Sequence, residues 1–102
     1  MKINVFTNTH ILEKWMGYRP NDALVLSFSF EATPPPRYVT NEDACEWVFH
    51  VFNAPEEALD YQERELARLY RARGLASLSV GDVVEVDGTR FACGGTGWTE
   101  LA

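Results

Sequence analysis

The chain has 102 residues, 46% of them hydrophobic and 13% aromatic, enough apolar material for one packed domain and too little length for two. Its net charge of −6 argues against a plain phosphate-backbone binder, which draws its affinity from clustered Lys and Arg. The same charge suits a small domain kept in solution, or one that meets basic surfaces.

Cys45 and Cys93 are the only cysteines. Two thiols without CxxC spacing are too few for a disulfide scaffold. The first residues, Met1 to Phe6, run at once into polar sequence and do not read as a signal peptide. No apolar run approaches membrane-spanning length. These features predict a cytoplasmic protein with reduced thiols.

Residues 2–6 are rich in β-formers and predict a short strand. Ile11 to Met16 fit one or two helical turns before Gly17, and Arg19-Pro20-Asn21-Asp22 is turn chemistry. Over residues 24–30, Leu24, Leu26, Phe28 and Phe30 alternate with smaller residues. The period of two predicts a strand with those four side chains on its core face. Pro34-Pro35-Pro36 is a stiff connector.

Thr40 and Asp43 form a capping-box pattern at the start of a helix. That helix carries Ala44, Cys45, Trp47, Val48, Phe49, Val51 and Phe52, apolar around most of its circumference, and is expected to be deeply buried. Asn53, with Pro55 and Glu56 after it, reads as the next helix cap. A second helix is expected over about 54–73. Its apolar stripe is Leu59, Leu66, Leu69 and Tyr70, and Arg64, Arg68 and Arg71 share another face. Gly74 is its natural stop.

The hairpin signal is strongest at the C-terminus. Asp87-Gly88 between two β-rich runs fits a type I′ turn. A two-residue loop pairs Val86 with Thr89, Glu85 with Arg90 and Val84 with Phe91. Val84, Val86, Phe91 and Cys93 then share one face, and Glu85–Arg90 is a cross-strand pair on the other. After the turn Gly94-Gly95-Thr96-Gly97, residues 98–101 supply a last short strand. The expected fold class is α+β: one domain, a small, mostly antiparallel sheet of N-terminal strands and C-terminal β-hairpin, packed against two helices.

Ser77-Leu78-Ser79-Val80-Gly81-Asp82-Val83-Val84, the turn at Asp87-Gly88, Phe91, Cys93 and Gly97-Trp98 together resemble the YodL-like domain. The stretch Trp47 to Asn53 is similar to that family's preceding "VFxxFN" segment, and the likeness covers about residues 43–101. It implies an accessory protein of bacteria, phages and mobile elements. It brings no catalytic residues to transfer: Gly81 and Gly97 read as turn residues, Val83 and Val84 as strand, Trp98 as core.

Few residues are spaced to carry chemistry. His10 and His50 are the only histidines. Cys45 and His50 are five residues apart, about 140° around a helix. With Cys93 they would make an incomplete metal set or a Cys–His pair. Buried thiols are usually inert. The Gly94 to Gly97 run lacks the Lys-Ser/Thr ending of a phosphate loop and is better read as a turn. We therefore expect no enzyme, no cofactor and no metal.

Charge layout is more informative. Eight acids (Glu42, Asp43, Glu46, Glu56, Glu57, Asp60, Glu63, Glu65) stand against Arg64 alone between residues 41 and 65. The bland account is helix-dipole complementarity and solubility. The functional account is an acidic docking surface, with Glu56, Glu57, Asp60 and Glu63 contacting a host protein. The alternative is a nucleic-acid regulator using Arg64, Arg68, Arg71 and Arg73.

Overall fold

The computed structural model describes residues 1–9, 17–20 and 22–101. The expected helical turn at Ile11 to Met16, and His10, lie outside the described residues. Five strands, β1 (Lys2–Asn8), β2 (Leu24–Glu31), β3 (Val83–Val86), β4 (Thr89–Cys93) and β5 (Trp98–Glu100), form one antiparallel sheet in the order β2-β1-β3-β4-β5. Helices α1 (Asn41–Asn53) and α2 (Tyr61–Ala72) fall between β2 and β3, separated by a 3-10 turn at Glu56–Ala58. The fold is α+β, as expected.

The N-terminal strand β1 lies between β2 and β3, so the N-terminal strands join the C-terminal hairpin through β1 and β3, and β2 and β5 form the two edges. Ile3, Val5, Phe28, Val84, Val86 and Phe91 join Val48, Val51, Phe52, Ala67 and Tyr70 in one core. The ring of Phe52 stacks on that of Tyr70 at 4.0 Å, and Phe28 meets both edge-on. This aromatic cluster joins both helices to the sheet, a geometry that adds to area burial.

The hairpin register is the expected one, with Val84 opposite Phe91, Glu85 opposite Arg90 and Val86 opposite Thr89. Asp87 and Gly88 both have positive φ (47° and 89°), as a type I′ turn needs. Arg90 Nε donates to Glu85 Oε2 at 2.9 Å, and its guanidinium lies over the Phe6 ring. Helix α1 opens on the expected cap: Asp43 N donates to Thr40 Oγ1, and Asp43 Oδ2 accepts from the Thr40 and Val39 amides. Those amides hold the Asp43 carboxyl below its usual range.

Three expectations are corrected. The alternation in β2 breaks at a bulge: Val5 faces Phe28 but Phe6 faces Leu26, leaving Ser27 as the extra residue. Phe28 and Phe30 therefore pack on the core, whereas Leu24 and Leu26, on the far side of the bulge, take the opposite phase and lie outside the core, Leu26 being 55% exposed. An inserted residue reverses the side-chain phase beyond it, which a simple period of two does not foresee.

Asn53 does not cap α2. It is the last residue of α1, and its amide pairs with Leu78 like a strand, accepting from Leu78 N and donating to Leu78 O, both at 2.8 Å. Helix α2 starts instead after Asp60, whose carboxylate accepts from Glu63 N while Glu63 Oε1 accepts from Asp60 N. Finally, Leu69 is not on the buried stripe. Glu63, Ala67 and Tyr70, spaced i, i+4 and i+7, face inward, and Leu69 is 62% exposed.

Candidate interaction surface

The acidic residues of the α2 region separate into different roles. Glu63 is 6% exposed. Its Oε2 accepts from the Trp47 indole N–H at 2.8 Å and its Oε1 from the Asp60 amide at 3.0 Å. A buried carboxylate is tolerated when its oxygens are satisfied in this way. Glu63 is thus an internal bolt between α1 and α2, which corrects its reading as a solvated docking residue. Asp60 is the helix cap.

Glu56 stays at the surface but is occupied. Arg68 donates to it through Nε (3.0 Å) and a terminal guanidinium nitrogen (3.2 Å), and the pair holds the Glu56 carboxyl below its ordinary value. Arg68 also lies 3.8 Å from Glu65. Glu57 and Asp60 are the exposed ones of the four, and of these Glu57 has no hydrogen bond or ion pair to the described residues.

Three of the four arginines, Arg68, Arg71 and Arg73, are similarly engaged. Arg71 donates to the Ala54 carbonyl at 2.8 Å. The Arg73 guanidinium stands 5.5 Å from the centre of the Phe28 ring. The four cations do not form one free strip.

Between these charges lie two side chains that composition alone did not single out. Tyr61 is 71% exposed and Leu69 62% exposed, on the outer side of α2. Glu57 and Glu65 stand four residues before Tyr61 and Leu69 in sequence, and Arg68 precedes Leu69 and lies 3.8 Å from Glu65. Tyr and Arg are residue types that anchor protein contacts, and here they are presented with an exposed leucine that adds apolar area. The signal was present in the sequence: once Asp60 is taken as cap, helical phase sends Tyr61, Glu65, Arg68 and Leu69 outward.

The remaining candidates for chemistry are set in structural surroundings. Cys45 and Cys93 are buried, and burial, helped by Glu42 and Glu46, pushes the Cys45 thiol upward. That is opposite to the shift of an activated nucleophile. His50, in the last turn of α1, is half-buried. Among the described residues no group of three or more His, Cys, Asp or Glu is placed to hold a metal ion.

Asp82, buried at the entry to β3, accepts from the amides of Asn8 (3.0 Å) and Ser79 (2.9 Å). It borders an open cleft of about 350 Å³ shared with Thr7, Thr9, Ser27 and Leu75. Asp82 is thereby a loop fastener for the Ser79 to Asp82 turn. A second cleft, about 250 Å³, lies at the Gly94 to Gly97 turn beside Phe49 and Trp98, whose rings meet edge-on at 6.3 Å. The Gly94 amide bonds to the Gly97 carbonyl at 2.7 Å, closing the loop on itself as a turn between strands.

No helix among the described residues is long and apolar enough to cross a membrane. Compared with family models, curated proteins and solved structures, the chain matches none. The resemblance to the YodL-like domain thus rests on the quoted residues alone.

Proposed function

We propose that the chain is a small accessory protein of phage or mobile-element type that binds and modulates a host protein by non-catalytic contact, using the outer face of α2. One observation carries the reading: Tyr61 and Leu69 stand exposed beside Glu57, Glu65 and the Glu56–Arg68 pair. The fold gains little from exposing an aromatic ring and a leucine there, whereas a partner that covers them gains apolar burial inside a polar rim. The setting comes from the YodL-like resemblance. The acidic docking surface is retained in narrower form, with Glu57 and Glu65 at its rim and Glu63 removed from it.

The competing reading, nucleic-acid binding by Arg64, Arg68, Arg71 and Arg73, fits less well. Arg68 is neutralised by Glu56 and Glu65, and Arg71 is spent on the Ala54 carbonyl. Phosphate contact would have to break those bonds first.

The test is affinity capture from a bacterial lysate, read by mass spectrometry, with the wild-type chain and with Glu57→Lys/Tyr61→Ser/Leu69→Ser side by side. A protein enriched by the wild type and lost from the variant supports the reading. Equal capture by both removes the α2 face, and nucleic acid retained in a salt-sensitive way by both favours the arginine reading.

A further inference from the structure

The two edges of the sheet differ, and one of them has the features of an interface. Strand β2 is eight residues long and hydrogen-bonds only to β1 among the described residues. Edge strands are normally protected by Lys, Pro, short length or a bulge, and of these β2 has only the bulge at Ser27. The β2 sequence, Leu24 to Glu31, contains neither Lys nor Pro, and its one charge is at its end.

The hydrogen-bond phase shows which backbone groups point outward. Met1 and Ala32 exchange both of their backbone bonds (2.9 and 3.1 Å). Antiparallel pairs alternate, so Ile3–Phe30 and Val5–Phe28 are also bonded pairs, and the backbone groups of Ser29 and Glu31 point away from β1. At the other end Thr9 N donates to Ala23 O, and Asn8 N turns toward Asp82 on the β3 side. There Leu24 and Leu26 point away from β1. Without the Ser27 bulge the outward residues would keep one parity. With it they are Leu24, Leu26, Ser29 and Glu31.

That set is self-complementary. A twofold axis between Ser27 and Phe28, perpendicular to the sheet, places Leu26 opposite Ser29 of a second copy and Leu24 opposite its Glu31. Every outward group then meets an outward group. The two Glu31 carboxylates sit at opposite ends and do not face each other. The same register sets Val25, 53% exposed on the helix side, against the second copy's Phe30.

We propose that β2 pairs antiparallel with β2 of a second copy of this chain, making a ten-stranded sheet across a twofold axis. Because β2 is separate from the outer face of α2, this pairing stands independently of the proposed host contact.

Sedimentation equilibrium of the full chain over a wide concentration range tests the assembly. Amide hydrogen exchange at low and high concentration tests the register. The expected result is a particle of twice the chain mass whose Leu24, Leu26, Ser29 and Glu31 amides gain protection on association, while those of Val25 and Phe30 do not change. Leu26→Pro removes an outward N–H without touching the β1 ladder, and Val25→Asp sets a charge against Phe30. Each should weaken association by about tenfold or more with the circular dichroism spectrum kept. Should Leu26→Pro fail to fold, Val25→Asp and the exchange pattern still decide. A chain that remains monomeric at high concentration, or a dimer that protects other amides, overturns the proposal.

Discussion

The two helices of this protein make an instructive pair. Helix α1 is buried on most sides, with Ala44, Cys45, Trp47, Val48, Val51 and Phe52 all in the interior. Helix α2 buries only Glu63, Ala67 and Tyr70, and exposes Tyr61 and Leu69. Each begins with a capping box, so the difference does not lie in how the helices start. It lies in what surrounds them: α1 spans the centre of the sheet, and α2 leans against its flank. A polar residue on the inner side of α2 therefore serves the fold, and an apolar residue on its outer side has no fold role to explain it.

The contrast breaks most visibly at Glu63. Glu63→Leu strands the Trp47 indole N–H in the interior and takes the partner from the Asp60 amide, and we expect a loss of about 2–4 kcal/mol in urea unfolding. Asn53→Ala removes both bonds to Leu78 and should cost about 1–3 kcal/mol, with faster hydrogen exchange at the Leu78 amide.

Tyr70→Phe deletes the hydroxyl that donates to Ala76 O at 2.7 Å, a loss of about 1 kcal/mol near neutral pH. Its larger signature is in pH dependence. Burial, with Asp82 nearby, pushes the Tyr70 phenol up to about 12 from 10.0. The folded state thus holds this proton more tightly than the unfolded chain. Its stabilising effect is fully present below pH 10 and is lost as pH rises through about 12. The wild type should lose stability across that window more steeply than Tyr70→Phe, measured by unfolding at each pH.

The smallest stability change is expected on the outer face. Tyr61→Ser and Leu69→Ser remove exposed side chains and should each shift unfolding by no more than about 0.5 kcal/mol. A large loss from either would mean that the outer face of α2 is part of the fold after all.

The readable parts of the fold are those governed by local rules. Asp87-Gly88 fixes the hairpin register because a type I′ turn permits only one pairing, and Thr40 with Asp43 marks the start of α1 because capping is a contact over three residues. Parts that depend on distant neighbours were hidden. The bulge at Ser27 answers to β1, and burial of Glu63 depends on Trp47, sixteen residues away. The Asp60–Glu63 box was legible by the same rule as Thr40–Asp43. Asn53-Ala54-Pro55-Glu56 offers a similar pattern seven residues earlier and competes with it. That misplaced start hid the inward turn of Glu63 and the outward turn of Tyr61 and Leu69, and with them the division of the acidic patch.

The decisive measurement is hydrogen exchange of the chain, alone and with a protein enriched by the wild type and lost from the α2 variant in the capture experiment. Exchange should slow within residues 61–69 of α2 and stay unchanged in the β3–β4 hairpin. Protection confined to the hairpin or to the Gly94 to Gly97 turn, with α2 unchanged, would contradict docking through α2.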